Sequence, residues 1–412
     1  MSTFGIVFLA ALALATATRL WLGWRHASHV AAHRERVPAE FASEISPAAH
    51  HKAADYTCAR TRFALAGVAT DAVILLVLTF GGGLQLLHEV SAAWLAEGLA
   101  RGLLLIVLLA ILMTVIEIPF NLYRVFSIEE RFGFNKMTIG LFFIDLIKGI
   151  LLGACLVLPL IAVILWLMQE VGAYWWIYAW TIVVLYGVFV HFIAPTVIAP
   201  IFNKFSPMQD AEIKERVERL LERCGFKVRG LMVMDGSKRS SHGNAYFTGF
   251  GSSKRIVFFD TLLARLNPAE VEAVLAHELG HFKLWHVAKR MAWSFLLSLG
   301  FLWLLNFLMR EEWFFHGLGV ATPSTAMALI LFFIVVPQFT FLLQPLGAMY
   351  SRRHEFEADQ YAAQNASARD LVSALIKLYR DNAATLTPDP LHSVFYDSHP
   401  PAIARIARLQ KA

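Results

Sequence analysis

The stretch "LAHELGHFKLWH", residues 275–286, contains two histidines four residues apart, with a glutamate directly after the first. On a helix, His277 and His281 project from the same face, where two imidazoles one turn apart can bind a single tetrahedral Zn²⁺ ion. Glu278 then lies beside the metal and can take the proton of an attacking water. A chance match to this HExxH pattern is expected only about 0.03 times in a chain of this composition. The spacing therefore predicts one zinc ion per chain with a general base next to it.

A hydrolytic zinc site needs a third protein ligand and keeps its fourth position for water. The three cysteines are far apart and form no CxxC pair, so this ligand must be a histidine or a carboxylate. The segment "SRRHEFEADQYA" offers four candidates: His354, Glu355, Glu357 and Asp359. On a helix Glu355 and Asp359 share a face, so one could bind zinc while the other orients a zinc-binding imidazole. The alternative is that these acids pair with the two preceding arginines on a solvated surface.

The helix that carries HExxH has a well-marked start. Asn267 can cap it, Pro268 suits the first helical position, and Glu270 lies three residues after the cap. The pattern predicts a helix that runs to about Arg290.

The rest of the chain has the composition of a membrane protein. Of its 412 residues, 57% are hydrophobic and 16% are charged, and the mean hydropathy is +0.56. Seven apolar runs are long enough to span a bilayer, near residues 4–23, 64–87, 102–121, 141–168, 174–200, 291–309 and 325–349. A mainly α protein with seven transmembrane helices is predicted.

Lys and Arg are concentrated in alternate loops. No such residue precedes the first run, six lie between the first two runs, and the loop near residue 170 has none. The positive-inside rule then places the N-terminus outside and the C-terminus in the cytoplasm, with the metal site on the cytoplasmic side. Cytoplasmic loops that face anionic lipid account for the net charge of +5, so no nucleic-acid partner is indicated.

Two charged segments interrupt the spans and predict a small cytoplasmic α+β unit. "AEIKERVERLLERCG" has helical spacing and stops at Gly225, while "GLMVMD" and "RIVFFD" are typical strands. "NAYFTGF" and "RIVFFD" predict a hairpin over about 244–260. The predicted division of the chain is five spans, a metalloprotease segment, two spans and a C-terminal cytoplasmic segment, over residues 1–201, 202–290, 291–349 and 350–412.

Five motifs together resemble the type I CAAX prenyl endopeptidase family of integral-membrane zinc proteases with seven transmembrane helices. They are HELGH, SRRHEFEAD, SSHGNAYFTGFGSSKRIVFFDTLL, FSIEERFGFNKMT and IAPIFNKFSPM, and they cover most of the chain from about residue 115 onward. The resemblance implies three zinc ligands, His277, His281 and Glu355. It also implies that Glu278 is the catalytic glutamate and Asp359 a supporting acid.

The resemblance further implies that the helices enclose a large water-filled chamber. Such a chamber would explain the ionisable residues inside predicted spans, which are Asp71, Glu117, Asp145, Lys148 and His191. Taken alone, these residues could equally suggest a transporter. A simpler alternative is that Asp145 and Lys148, three apart on one helix, neutralise each other.

A transition-state stabiliser is expected in the tail "DPLHSVFYDSHPPAIARIARL". The family match at "SHP" implies that His399 has this role, with Arg405 on the following helix as its partner. His392 and His354 are competing candidates.

Metalloproteases generally hold a peptide extended against an exposed strand edge. "NAYFTGF" resembles the family's substrate strand, so we expect substrate contacts from Asn244, Ala245, Tyr246 and Phe247. The alternative is a core strand whose aromatic side chains only pack.

These features lead to the hypothesis of a monomeric, membrane-embedded zinc endopeptidase that contacts membrane lipids. It would hydrolyse peptide bonds near the C-terminus of prenylated CAAX-type or other extended peptides. A heat-shock-type membrane protease also has HExxH and a later ExxxD segment, but usually fewer spans. A transporter or scaffold with a structural metal would need a fourth protein ligand, and the sequence offers no obvious one. A bacterial inner membrane is predicted in preference to an ER membrane.

Overall fold

The computed structural model describes residues 2–228, 230–248 and 255–411, and most of them are helical. Within these ranges, seven helical segments are long and apolar enough to cross a membrane: Thr3–Ala32, Pro47–Leu78, Leu99–Glu129, Ile139–Glu170, Gly172–Phe202, His286–Leu308 and Thr325–Asn365. The predictions of a mainly α fold and of seven spans are therefore confirmed. Several spans extend well beyond the apolar runs, because polar residues continue the helices past the hydrophobic stretch.

The N-terminal half is a series of long helices. They are α1 (Thr3–Ala32), α2 (Pro47–Leu78), α3 (Gly83–Trp94), α4 (Leu99–Tyr123), α5 (Ile139–Glu170), α6 (Trp175–Ile193) and the short α7 (Ala199–Phe202). The second span was predicted over 64–87, but α2 ends at Leu78. Three consecutive glycines interrupt the apolar run, and Gly82 has φ +74°, a left-handed conformation that glycine adopts without strain. The remaining apolar residues form α3 instead.

The C-terminal half contains the strands, the last two spans and the short helices that follow them. The helices are α8 (Ala211–Arg223), α9 (Asp260–Leu263), α10 (Pro268–Lys283), α11 (His286–Leu308), α12 (Glu312–His316), α13 (Thr325–Thr340), α14 (Gln344–Asn365), α15 (Ala368–Asp381), α16 (Pro390–Tyr396) and α17 (Ala402–Leu409). The strands are β1 (Phe205–Pro207), β2 (Gly230–Met234), β3 (Ala245–Thr248) and β4 (Arg255–Phe259).

Helix α13 lies at the centre of the membrane part. Its residues 326–332 are all buried, and the helix contacts α1, α4, α5 and α11. A helix that is apolar on every side is stable only when other helices or lipid surround it. The largest apolar cluster of the described residues therefore forms around α13.

The four strands form one sheet in the order β1-β2-β4-β3. β2 and β4 are parallel, whereas β1 and β3 pair antiparallel to β2 and β4 respectively. The pairing of β3 with β4 confirms the predicted hairpin, whose turn lies outside the described residues. Among the described strands β3 pairs with β4 alone, so it lies at the edge of the sheet.

The sheet and helices α8, α10, α14 and α15 share a second apolar core. Ile213 and Val217 of α8, Phe258 of β4 and Leu275 of α10 belong to this cluster. Helix α8 is followed by Gly225 at φ +67°, as its sequence predicted. This core fixes the HExxH helix against the sheet.

An arginine from the sheet unit joins it to the membrane helices. Arg239 donates to both carboxylate oxygens of Asp145 on α5, at 2.7 and 3.0 Å. Lys148 instead donates to the backbone oxygen of Ile201 at 2.9 Å. The alternative in which Lys148 neutralises Asp145 is therefore wrong, because the planar guanidinium of Arg239 binds the carboxylate with two hydrogen bonds.

Candidate active site

The capping box predicted for the HExxH helix is present. Asn267 accepts from the backbone N–H of Glu270, and Glu270 accepts from the backbone N–H of Asn267. The Glu270 carboxylate is 1% exposed and also receives hydrogen bonds of 2.7 Å from Ser373 and Lys377 of α15. Burial alone would raise the pKa of Glu270, but these donors bring it below its ordinary value. The start of α10 is thus attached to α15 as well as capped.

The HExxH helix ends earlier than the sequence predicted. It stops at Lys283 instead of continuing to Arg290, because Trp285 has φ +60° and breaks the helical register. Helix α11 then begins at His286 in a new direction. The break brings Nδ1 of His286 to 3.0 Å from Nδ1 of His281, although five residues in a continuous helix would separate the two side chains.

Helix α14 carries the acidic segment and packs directly on α10. Gly280, inside HExxH, lies at the contact: a Cβ built there would be 2.9 Å from Cα of Ala358 and 3.1 Å from Cβ of Tyr361. Only glycine permits this approach. The close packing brings Glu355 of α14 to the two histidines of α10.

Three side chains with possible ligand atoms meet at this contact. The Nε2 atoms of His277 and His281 are 3.2 Å apart. One carboxylate oxygen of Glu355 lies 3.4 Å from Nε2 of His277, and the other lies 3.3 Å from Nε2 of His281. Two ligands about 2.0–2.1 Å from one tetrahedral ion are themselves about 3.4 Å apart. The set of two imidazoles and a carboxylate therefore fits a zinc ion in spacing and in chemistry.

The Glu355 carboxylate provides a second test of this fit. The side chain is 4% exposed, and among the described residues its Oε2 has no hydrogen-bond partner. A buried carboxylate oxygen without a partner is costly unless a ligand completes its shell. Neither Arg352 nor Arg353 neutralises Glu355, because Arg352 donates to backbone oxygens and Arg353 donates to Glu357.

Asp359 and Arg405 lie on the Nδ1 side of His277, away from the metal-facing Nε2. Asp359 Oδ1 is 2.9 Å from Nδ1 of His277, and Arg405 donates to both oxygens of Asp359 at 2.6 and 2.8 Å. Asp359 is 2% exposed and Arg405 is 6% exposed. A carboxylate on Nδ1 keeps that nitrogen protonated and leaves Nε2 free to bind a metal. The structure thus joins Arg405 to Asp359, whereas the sequence predicted Arg405 as the partner of His399.

Glu278 is half-buried on α10, next to His277. Its carboxylate makes no hydrogen bond or ion pair within the part of the chain that the structure describes. An unengaged carboxylate beside the donor set can accept a proton from water.

His399 is the histidine of the tail that reaches the donor set. Its Nε2 lies 3.4 Å from Glu355, its Nδ1 lies 3.0 Å from the Ser398 hydroxyl, and 61% of its side chain is exposed. The two competing candidates are engaged elsewhere, since His392 stacks on His26 at 4.0 Å and His354 stacks on His286 at 4.0 Å. A cavity of about 290 Å³ beside His399 extends to His26 on α1.

The predicted substrate strand contacts the HExxH helix, since β3 packs on α10. Asn244 accepts from the backbone N–H of Phe259 at 3.0 Å. Because hydrogen bonds alternate along an antiparallel strand, the backbone groups of Ala245 and Phe247 face the free edge. Tyr246 is half-buried with its hydroxyl 4.0 Å from the Met234 sulfur, so its side chain packs. The side chain of Phe247 lies outside the described residues.

Gly280 was not among the residues predicted for this site, and Glu357 was predicted only as one of four candidates for the third zinc ligand. A continuous helix would place His286, five residues after His281, off the metal-facing side, where it could at most support a ligand. No sequence signal indicated the break at Trp285, because neither glycine nor asparagine occupies this helix end. Gly280 inside an apolar helix was the more readable clue to a close helix contact.

Two family descriptions match adjoining parts of the chain. Residues 26–204 match the description "CAAX prenyl protease N-terminal, five membrane helices", and residues 207–412 match "Peptidase family M48". Both matches agree with the order of membrane and sheet elements along the chain.

Several curated proteins and a solved structure are similar over most of the chain. The CAAX prenyl protease 1 homolog of Arabidopsis thaliana is 40% identical over 296 residues, which are 70% of this chain and 69% of that protein. The homolog of Homo sapiens is 31% identical over 421 residues, covering 91% and 88%. The crystal structure of S. mikatae Ste24p has a TM-score of 0.93 and 28% identity, and the match covers 99% of each chain.

Proposed function

The chain belongs to peptidase family M48, in the group of the CAAX prenyl proteases, and from this premise we propose that it is a zinc endopeptidase that cleaves prenylated CAAX-type peptides near their C-terminus. The family makes it a membrane-embedded metalloprotease with a peptide substrate. The proposed zinc endopeptidase activity rests on the convergence of His277, His281 and Glu355, whose Nε2 and carboxylate oxygen atoms lie 3.2 to 3.4 Å apart. Beside them, Glu278 has no partner among the described residues.

Each residue of the site has one proposed role. His277, His281 and Glu355 hold the zinc ion, which supplies a Lewis acid for the peptide carbonyl and acidifies water when bound. Asp359, itself held by Arg405, keeps His277 in the correct tautomer and orientation. His399 lies next to Glu355 and faces the cavity, where its Nε2 can donate to the developing oxyanion.

Glu278 moves the proton of the reaction. As the water oxygen bonds to the carbonyl carbon, Glu278 takes the proton that the water loses. When the carbon–nitrogen bond breaks, Glu278 gives this proton to the leaving amine. The products are a new C-terminal carboxylate and a released peptide.

The free edge of β3 is the proposed docking site of the substrate backbone. Phe247 offers an outward-facing N–H and C=O, and Ala245 offers an outward-facing C=O, while the Ala245 N–H donates to Oδ1 of Asn244 at 2.8 Å. β3 lies against the helix that carries Glu278. A peptide added to this edge would be antiparallel or parallel to β3 with its scissile bond near the zinc ligands. Asn244 and Tyr246 would contribute by keeping β3 paired with β4, because their backbone groups face that strand.

We further propose that the spans surround a water-filled chamber, with the active site at its cytoplasmic end. A solid bundle would bury the inward face of each helix. In six of the seven spans, at most 28% of the residues in the apolar 18-residue window are buried.

The predicted preference for a bacterial inner membrane has no support among the relatives, which include a plant and an animal protein, so it stays a prediction. The monomeric state and the four-part division of the chain also stay predictions.

The decisive experiment is Glu278→Gln in the purified, full-length protein. This variant should keep one zinc ion per chain and lose cleavage of a farnesylated CAAX peptide, measured by mass spectrometry of the products. Glu272→Gln is the matched control on the same helix, because Glu272 pairs with Arg216 and Arg223 away from the donor set. If Glu278→Gln cleaves as fast as the parent, the proposed mechanism is wrong.

A second comparison tests the metal and the substrate class. Glu355→Ala should abolish zinc binding, because it removes the third ligand. The parent should cleave the farnesylated peptide faster than the same peptide without the farnesyl group. Equal rates on both peptides would refute the proposed preference for prenylated substrates while leaving the protease activity intact.

A further inference from the structure

Behind His281 the side chains form a chain of three hydrogen bonds. Nδ1 of His281 is 3.0 Å from Nδ1 of His286, and Nε2 of His286 is 3.0 Å from Oε2 of Glu357. The other oxygen of Glu357 accepts from Nε of Arg353 at 2.9 Å. His286 has no exposed side-chain surface, so its two bonds are largely shielded from bulk water, whereas the bond between Glu357 and Arg353 lies at the surface.

The order of protons along this chain follows from the zinc site. A neutral imidazole has one N–H and one lone pair. When Nε2 of His281 binds the metal, its proton must be on Nδ1, so His281 donates to His286. His286 therefore accepts at Nδ1 and carries its own proton on Nε2, which it donates to the Glu357 carboxylate. Every donor then meets an acceptor.

We propose that His286 and Glu357 are positioning residues for the zinc ligand His281, an inference that rests on the zinc site of the proposed function. They fix the tautomer and the ring orientation of His281, as Asp359 and Arg405 do for His277. The two ligands differ in the nature of this support. His277 contacts a carboxylate directly, whereas His281 reaches one through a second imidazole.

The same residues could be read as a second metal site. Donor atoms of His286, His354 and Glu357 lie within 4.8 Å of one another. Two features oppose this reading. The rings of His286 and His354 are stacked in nearly parallel planes, 4.0 Å apart and inclined by 6°, so an ion could not lie in both ring planes. In addition, a metal on Nε2 of His286 would move its proton to Nδ1, where it would face the N–H of a zinc-bound His281.

This arrangement connects the zinc site to a membrane span. His286 is the first residue of α11, which continues into the span to Leu308, and Glu357 lies on α14. The left-handed Trp285 allows α11 to begin where His286 can reach back to His281. The orientation of one zinc ligand therefore depends on the position of the α11 N-terminus.

The test measures zinc affinity by competition with a chelator, on the full-length protein in detergent. His286→Leu removes the acceptor and should weaken zinc binding about 10- to 100-fold. His286→Asn places an oxygen near the position of Nδ1, so it should recover most of this loss, to within about 5-fold of the parent. The control is His354→Phe, which keeps a ring stacked on position 286 and should change the affinity less than about 2-fold.

Each result has one meaning. The proposal is wrong if His286→Leu binds zinc as tightly as the parent. It is also wrong if His286→Leu and His286→Asn lose the same affinity, because such a loss indicates that His286 acts only through packing. If His286→Leu does not fold, Glu357→Leu and Glu357→Gln replace it, and the glutamine variant must bind zinc more tightly. Two zinc ions per parent chain, one of them lost in His354→Phe, would establish the second metal site instead.

Failure of this proposal is separate from failure of the proposed function. The affinity series needs no substrate, so it can succeed in a protein that cleaves no farnesylated peptide. Conversely, cleavage that depends on Glu278 can persist while all variants of His286 bind zinc equally.

Discussion

Gly280, on the helix that carries HExxH, lies directly against Ala358, on the helix that carries Glu355. A Cβ on Gly280 would lie 2.9 Å from Cα of Ala358 and 3.2 Å from its carbonyl oxygen. Backbone atoms cannot move aside as the end of a flexible side chain can. The distance between the two parts of the proposed zinc site is therefore set by the absence of one methyl group.

Gly280→Ala should separate α10 from α14 and weaken the site. We expect a loss of about 1–3 kcal/mol in stability from overpacking. A shift of several tenths of an ångström between ligands should also lower the rate of cleavage by about 10²-fold. Zinc affinity, thermal midpoint and cleavage rate measure these effects. The control is Gly153→Ala, because a Cβ on Gly153 of α5 meets nothing within 4 Å; similar losses in both variants would contradict the proposed spacing.

His399→Ala tests the transition-state role of the tail histidine. The variant should keep its zinc and lose about 10²- to 10³-fold in kcat, with little change in KM, because its proposed contact forms only as charge develops on the carbonyl oxygen. Steady-state kinetics on the farnesylated peptide measure the two constants. His392→Phe is the control, since it preserves the ring that stacks on His26. A change in KM alone would indicate substrate binding instead.

Glu270→Gln should reveal a pH-dependent part of the stability. The folded state lowers the pKa of Glu270 through its contacts with Lys377 and Ser373, so the carboxylate stabilises the protein above its unfolded pKa of about 4.3. This contribution disappears as the pH falls through the lower, folded pKa. At pH 7 the variant should be less stable by about 2 kcal/mol, since a hydrogen bond to a charged group is lost.

The difference between parent and Glu270→Gln should therefore shrink as the pH falls below about 4.3 and disappear below the lower, folded pKa, as the thermal midpoint in detergent would show. Glu215→Gln is a suitable control, because Glu215 is exposed and its ion pair with Arg219 is 3.7 Å long. A stability difference that is independent of pH would show that Glu270 acts through its shape and not through its charge.

Local sequence patterns were sufficient to predict those features that depend only on residues close together in the sequence. The cap at Asn267 and the four-residue spacing of His277 and His281 are properties of one helix, so they could be predicted without knowledge of the fold. The seven spans followed from apolar length alone. Glu355 could be narrowed to one face of its helix, but only the family resemblance selected it as a zinc ligand.

The remaining features depend on contacts between distant segments. The helix break at Trp285 has no proline or glycine to indicate it, and the contact of His286 with His281 follows from that break. Asp145 was matched with Lys148 because they are close in sequence. The true partner, Arg239, is 94 residues away and is brought there by the packing of the sheet unit on α5.

The Arg239 and Asp145 pair supplies the last prediction. Both side chains are mostly buried, with 19% and 15% exposed, and Arg239 also donates to the Phe202 backbone oxygen and to Asn203. Arg239 precedes β3 by six residues, so the pair fixes the segment that leads into the proposed substrate strand. Arg239→Leu should destabilise the protein by about 3 kcal/mol, because it leaves Asp145 buried without its partner.

A double-mutant cycle separates the pair from the packing of each side chain. Adding Asp145→Leu to Arg239→Leu should restore part of the lost stability, since no unpaired charge remains. Both the single and the double variant lack the Arg239 side chain, which fixes the segment that leads into β3. KM for the farnesylated peptide should therefore be raised in both variants, even where the thermal midpoint of the double variant recovers. Arg219→Ala, at an exposed ion pair, should change the stability by no more than about 1 kcal/mol. Strictly additive losses in the cycle would mean that Arg239 and Asp145 act independently, and recovery of KM together with stability would mean that the pair does not position β3.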